Sequence, residues 1–362
     1  MDDSWKEEIS TPALILNYNI MEQNMKHMVH FVKEQGINLR QHVKTAKIPL
    51  VVHIQQKLAR NNAKGIAVAN VGVAEVYAQC GFNDILITNE IIIPNQIKRL
   101  VLLNKFSLTR ACVDSEKNIK DLEEMASKYS QEIEVLIDLD VGFGRCGIKP
   151  GGPALQLARL IKKAPHLELV GLQAYEGHLT PMTNLKDKER MTRECMKLAL
   201  DTRDLLNANG FDINYITASG SGTYMFAGKC EGITEIQPGT YVFSDEHIEM
   251  VNPIFKPAVT VLGTIQNKTG PRLFTIDSGL KAVPTGDGKP IFKDNPKNRW
   301  RVFTEEHAQF KAAPGTNYKI GDKIELIPAH VCITVNLYDF IHVIKDGQDI
   351  GTWPVLARGK NY

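Results

Sequence analysis

From Asn17 to about Gly239 the chain alternates two textures: short runs of β-branched and apolar residues, and longer stretches whose apolar positions recur at helical spacing. Parallel strands need a crossover of this kind between them, so the alternation predicts a parallel sheet covered by helices. Eight candidate strands can be counted: Leu39–Thr45, Gly65–Asn70, Asp84–Thr88, Leu108–Val113, Ile133–Asp140, Leu167–Ala174, Tyr215–Ala218 and Ile233–Gln237. Candidate helices between them include Ser115–Tyr129, Pro153–Lys163 and Asn184–Asn209. Eight such units predict an α/β protein built on a (β/α)8 barrel.

Beyond Val251 the texture changes to short β-rich runs broken by Gly, Pro and Asn: Ala258–Gln266, Leu273–Asp277, Lys323–Pro328, Val331–Leu337 and Phe340–Lys345. Turn signals at Asn267–Pro271 and Pro284–Pro290 punctuate them, which predicts a separate, mostly antiparallel β domain. The run Pro12–Asn17 is also strand-like and is expected to pair with that domain. The expected division is therefore a barrel over 17–245 and a β domain over 246–362, joined by residues 1–16.

Composition narrows the partners without changing the fold. The chain has 362 residues, of which 43% are hydrophobic and 23% charged, as in an ordinary globular protein. Its 43 basic and 41 acidic residues leave a formal charge of +2, which gives no electrostatic reason to expect a nucleic acid or an anionic membrane. A small-molecule substrate is the expectation. No apolar run approaches the roughly 18 to 20 residues needed to cross a bilayer. The start Met1-Asp2-Asp3-Ser4-Trp5-Lys6 lacks the pattern of a signal peptide, and the six cysteines have no paired spacing. A reducing, cytoplasmic location is the default reading.

In a (β/α)8 barrel the chemistry sits beyond the C-terminal ends of the strands, with phosphate often held after strands seven and eight. After the seventh candidate comes Ser219-Gly220-Ser221-Gly222-Thr223, whose small residues would let amides and hydroxyls approach an anion. After the eighth comes Gln237-Pro238-Gly239-Thr240-Tyr241. Lys44, near Arg40, His42 and Lys47, ends the first candidate strand, with His42 and Lys44 on one face. A barrel-facing lysine is costly to bury charged, so burial would make it a carbonyl-trapping amine; the plainer alternative is that it lines the mouth. Arg145, among the glycines after the fifth strand, is suited to a carboxylate or phenolate. Gln173 and Tyr175 share a face at the end of the sixth. Together these groups fit pyridoxal 5′-phosphate, whose aldehyde needs the lysine and whose phosphate needs the amides. Sugar-phosphate aldolases would share the lysine and the phosphate site, but would not need the C-terminal β domain.

That domain carries Ile327–Asp339, read as extended, in which His330 and Cys332 would point the same way. An imidazole nitrogen and a thiolate are donors for a borderline-soft ion such as Zn2+, and two protein ligands would leave positions for substrate and water. On spacing alone, a packed pair of core residues is the more common meaning.

The whole pattern resembles the D-serine dehydratase and D-threonine aldolase family, pyridoxal-phosphate enzymes of the alanine racemase-like fold. The resemblance runs along nearly the whole chain. It is carried by Thr11-Pro12-Ala13-Leu14, His42-Val43-Lys44-Thr45, Arg145-Cys146-Gly147, Tyr175-Glu176-Gly177-His178, Gln237-Pro238-Gly239-Thr240-Tyr241, Asp277-x-Gly279-x-Lys281-Ala282, Glu306-His307 and the run His330 to Asp339. It implies that Lys44 holds the cofactor as a Schiff base, that Tyr175 contacts the pyridine nitrogen, and that Ser219, Gly222, Gly239 and Thr240 line the phosphate. His42, Arg145, Gln173, Thr223, Gln237 and Tyr241 are further candidate cofactor contacts, and His330 and Cys332 are implied as the zinc ligands. Gln237 stands where alanine racemases have arginine, and Gln41 and Ala46 depart from the usual sequence around the lysine. A homodimer is implied by the resemblance alone.

The family's aldolases typically carry His-x-Asp where its dehydratases carry His-x-Cys. Cys332 therefore implies a zinc-dependent dehydratase of a β-hydroxy-D-amino acid, D-serine giving pyruvate and ammonia. The alternative is a D-threonine aldolase, with Mn2+ or another divalent ion in place of zinc. An amino-acid racemase would have no evident use for the metal pair, and single-barrel pyridoxal-phosphate carrier proteins lack the β domain.

Overall fold

The computed structural model describes residues 4–362. The chain forms two compact units. One comprises the residues up to His27, Thr45–Leu50 and Thr240–Arg358; the other comprises Met28–Lys44, Val51–Gly239 and Gly359–Tyr362. Of the residues 1–16 expected to join the β domain, 1–3 lie outside the described residues.

Strand β1 (Ala13–Asn17) belongs to the first unit, and the next eight strands build the second. These are β2 (Asn38–His42), β3 (Ala63–Val68), β4 (Asp84–Glu90), β5 (Leu108–Val113), β6 (Ile133–Asp138), β7 (Leu167–Ala174), β8 (Ile216–Ala218) and β9 (Glu235–Ile236). Each pairs in parallel with the next, and β9 returns to β2 through Asn38 opposite Glu235 and Leu39 opposite Ile236, closing the barrel. The strands are buried on both faces, so β4 and β6 read as unbroken apolar runs such as Ile85-Leu86-Ile87 and Val135-Leu136-Ile137. All eight expected strands are present. The expected helices are Glu116–Tyr129, Gly152–Ile161 and Leu185–Ala208, the first and last capped by Ser115 and Asn184, whose side chains accept the free N–H groups of the opening turn. Toward the strands' N-terminal ends, buried Arg40 donates to Asp84 and Glu235, while Arg110 bridges Asp84 and Glu134. Arg40 is therefore a structural ion-pair residue at the opposite end of the barrel from the candidate chemistry.

The first unit is a nine-stranded sheet. Its remaining strands are β10 (Val259–Gly270), β11 (Leu273–Ile276), β12 (Ile291–Phe292), β13 (Arg299–Phe303), β14 (Ala308–Lys311), β15 (Lys323–Ile327), β16 (Phe340–Lys345) and β17 (Gln348–Pro354). The main path runs β13-β14-β11-β10-β1-β16-β17, with β15 on β10 and β12 on β15. As expected from its sequence, β1 joins this sheet, antiparallel to β10 and parallel to β16. The aromatic rings of Phe274, Phe292, Trp300 and Phe310, carried by its strands, pack against one another. Among the described residues no helix is long and apolar enough to cross a membrane.

Two expected strands need correction. β2 ends at His42 instead of Thr45: the Val43 N–H still reaches Ala67 O, but the chain then turns, the Lys44 N–H donates to the His42 ring at 3.2 Å, and Lys47 takes a positive φ of 54°. The expected strand Val331–Leu337 is a short helix, Val331–Val335. Its β-branched run favours extension. The buried Asp245 carboxylate, 86 residues earlier, accepts the Val331 N–H at 3.2 Å and satisfies the helix start.

Candidate active site

In the barrel unit the turn after β2 presents Lys44 as an exposed side chain. The burial expected to make its amine unusual is thus absent. Its Nζ stands 5.9 Å from the centre of the Tyr175 ring, just beyond β7. The Arg145 guanidinium, in the loop after β6, lies 5.6 Å from the same ring and 5.0 Å from that of Phe143. Two cations therefore lie close to one aromatic ring. Next to them His42 accepts the Lys44 N–H on Nδ1, which leaves Nε2 to donate to Thr88 Oγ1 at 3.3 Å. Burial, then the charges of Lys44 and Arg145, push this imidazole well below its ordinary pKa, so it stays neutral.

Deeper in the barrel, the Gln173 amide donates to Thr88 O and Asp138 Oδ1, both at 2.9 Å, and the Gln237 amide donates to Gln173 Oε1 and Thr217 Oγ1. Both amides are thereby fixed. Burial raises Asp138 well above the usual carboxylate range, and Glu90 reinforces the shift. Gly239 packs its Cα against His42 O so closely that a Cβ would collide with it.

The loop after β8 has Ser219 at a positive φ of 70°, its hydroxyl donating to Gly220 O and lying 3.1 Å from Thr223 Oγ1. A Cβ on Gly220 would press on the Tyr175 ring at 3.2 Å, and one on Gly222 would strike Thr180. The loop is therefore one that only small residues can form, with the Ser219 and Thr223 hydroxyls buried beside Glu176. An amine, a cation-rich aromatic wall and this loop within one unit fit the aldehyde and phosphate of pyridoxal phosphate by their chemistry.

Within the sheet unit, His330 and Cys332 do come together, though not as neighbours on a strand. His330 is the extended residue before the helix and Cys332 lies in its first turn. The His330 pKa is raised to about 9, first by a hydrogen bond to Cys332 and also by Asp287. Asp287 Oδ2 accepts from Nδ1 at 2.5 Å, which holds the ring and leaves Nε2 as the nitrogen that a metal would take once its proton is displaced. The Cys332 sulfur lies 3.1 Å from Thr45 Oγ1 and 3.9 Å from Thr240 Oγ1. The same sulfur raises the Lys47 amine against a larger lowering by burial. Among the described residues no group of three or more His, Cys, Asp or Glu could hold a metal ion, so the pair offers two donors. Tyr241 is wholly buried with its ring on Phe255.

Asp287, Asp245 and Thr88 were not among the residues expected from sequence, and Thr45 was expected only as part of the motif around Lys44. Each acts across dozens of residues or more. Cys146 is exposed, and among the described residues none of the six cysteines forms a disulfide. His178 stacks on Phe143, His307 bonds Gln266, and Asp339 pairs with Arg358.

Residues 16–247 match the family described as alanine racemase, N-terminal domain, and residues 258–344 match the putative serine dehydratase domain. The chain is 30% identical over 372 positions to the 3-hydroxy-D-aspartate aldolase of Paracoccus denitrificans (strain Pd 1222), covering all of this chain and 95% of that enzyme. It is 24% identical to the D-serine dehydratase of Dictyostelium discoideum, covering 94% of this chain and 95% of the other. The crystal structure of D-threonine aldolase from Filomicrobium marinum superposes with a TM-score of 0.93 at 29% identity, covering 98% of this chain and 97% of that one.

Proposed function

Because this chain belongs to the alanine racemase-like family of pyridoxal-phosphate lyases that includes these aldolases and dehydratases, we propose that it dehydrates a β-hydroxy-D-amino acid such as D-serine with the help of a divalent metal. The observation that carries this reading is the paired His330 and Cys332, because a sulfur donor selects a zinc-like ion. Pyridoxal phosphate would supply a carbonyl for amines and an electron sink for charge at Cα, and the metal a Lewis acid for the β-hydroxyl. Lys44 would hold the cofactor and, once released by the substrate amine, take the α-proton on Nζ. Arg145 would attract the substrate carboxylate and Tyr175 would wall the ring. Asp287 would hold the His330 ring in register, and the hydroxyls of Thr45 and Thr240 would orient the Cys332 sulfur.

Retro-aldol cleavage to glycine and an aldehyde is the second reading. It is favoured by the 30% identity over the full chain to an aldolase. Both use the same residues and differ in whether Cβ–O or Cα–Cβ breaks. The test is an assay of purified protein with pyridoxal phosphate on D-serine, D-threonine and 3-hydroxy-D-aspartate, before and after chelation and after zinc or manganese is restored. Zinc-restored pyruvate from D-serine is the expected result. Glycine from D-threonine or 3-hydroxy-D-aspartate, without 2-oxo acid, replaces dehydration by cleavage; no metal dependence at all removes the role given to His330 and Cys332.

A further inference from the structure

Lys188 is fully buried, on a helix that otherwise carries its charges outward as i,i+4 pairs with solvent. Its Nζ donates to two backbone carbonyls, Thr180 O at 3.0 Å and Gly222 O at 3.4 Å. Among the described residues no carboxylate lies within ion-pair distance of it. A buried ammonium without a counter-charge is rare, because the cost of removing it from water is not offset by neutral carbonyls alone. Burial accordingly lowers this amine to about 8.

The two carbonyls belong to different connections of the barrel unit. Thr180 follows the turn after β7, and Gly222 lies in the Ser219–Thr223 loop after β8, the candidate phosphate loop. Gly222 is what allows them to meet, since a Cβ there would strike Thr180. The ammonium thus ties the loop to the β7 connection through backbone carbonyls, not through the Ser219 and Thr223 hydroxyls. The other buried ionisable group at this loop, Glu176, faces those two hydroxyls and is no partner of Lys188.

We infer that Lys188 is a positioning residue whose missing counter-charge is the cofactor's phosphate: it clamps the loop through the Gly222 carbonyl and places a positive charge near the dianion. This rests on the proposal that the Ser219–Thr223 loop holds pyridoxal phosphate. The test separates phosphate from the rest of the cofactor. Full-length protein stripped of cofactor is titrated with pyridoxal phosphate and with pyridoxal, which lacks the phosphate, in wild type, Lys188→Met and Lys188→Arg, following the cofactor's absorbance. The expected result is a loss in pyridoxal phosphate affinity of about tenfold or more in Lys188→Met, with pyridoxal affinity unchanged and partial recovery in Lys188→Arg. Lys188→Gln, whose neutral amide can still donate hydrogen bonds, carries the same comparison if the methionine variant does not fold. Equal losses for both ligands, or none for either, would overturn the inference. Wild-type protein that binds pyridoxal and pyridoxal phosphate equally would instead remove the phosphate site beneath it, and one that binds neither would remove the cofactor reading itself.

Discussion

His42 in the barrel unit and His330 in the sheet unit are the same residue in opposite electrostatic settings. His42 is pushed down, chiefly by burial and then by Lys44 and Arg145. His330 is pushed up to about 9, chiefly by its hydrogen bond to Cys332, with Asp287 adding to it. The barrel mouth has gathered cations over an aromatic wall, which suits an anionic cofactor and a substrate carboxylate. The sheet-unit pair has gathered a thiol and carboxylates, which suits a metal cation. In the barrel, loss of water sets protonation; in the sheet unit, specific partners do.

The comparison breaks most sharply at Cys332. Replacing it with alanine removes the sulfur that distinguishes the His330 setting and one of two proposed metal donors. Even outer-shell partners typically change metal affinity or activity by 10–100-fold, so a direct donor should cost at least about a hundredfold in turnover. The cofactor's absorbance should remain, since Lys44 and the Ser219–Thr223 loop are untouched and Thr240 lies 3.9 Å from the sulfur that is removed. Loss of absorbance together with activity would mean that Cys332 holds structure instead of metal. Asp287→Asn tests the outer partner alone. The His330 ring would lose its charged acceptor, and zinc affinity, measured by competition with a chromogenic chelator, should fall about 10–100-fold. Unchanged affinity would show that the carboxylate does not orient the ring.

These partners also mark how far the sequence could be read. The barrel was legible because eight apolar runs at βα spacing leave few other folds, and the pairing of β1 with the sheet followed from its texture. Lys44, His330 and Cys332 are the residues that motif singles out for the roles proposed above. The geometry around them was not legible. The β-branched run after His330 reads as a strand, yet Asp245, far away in sequence, caps it as a helix. The pair consequently meets across a helix start and not along a strand face. Lys44 was read as a barrel-facing strand residue, but the His42 ring captures its N–H and turns the chain, leaving the amine exposed. Lys188 is hidden in a helix of ordinary surface composition, and only the close approach allowed by Gly222 shows what it touches.

Glu176 extends the barrel side of the comparison to an acid. It is fully buried, and burial raises its pKa against opposing hydrogen bonds from Thr223 and Ser219. For a carboxyl raised on folding, the native state keeps a proton that the unfolded chain has released. Its contribution to stability is therefore fully present below the unfolded pKa and is lost as pH rises through the folded one. Glu176→Gln cannot release a proton, so the variant should lose less stability than wild type between about pH 4 and about pH 8. The difference in slope is bounded by one proton, about 1.4 kcal/mol per pH unit. Urea unfolding across that range checks it. Parallel curves would mean that Glu176 titrates alike in both states and that burial does not govern this unit.

The smallest expected effect separates burial from charge at His42 itself. Arg145 is exposed and acts on His42 through space, so its contribution is screened by solvent and salt, whereas the burial is not. In Arg145→Ala the imidazole should titrate higher than in wild type but still below its ordinary range, because the larger cause is untouched. The ring resonance of His42, followed by NMR against pH, gives the value directly. The gap between variant and wild type should close in about 1 M salt, where screening acts over roughly 3 Å. A return to ordinary titration in the variant would make His42 a charge-controlled histidine like His330, and the contrast between the two units would then lie only in the sign of their neighbours.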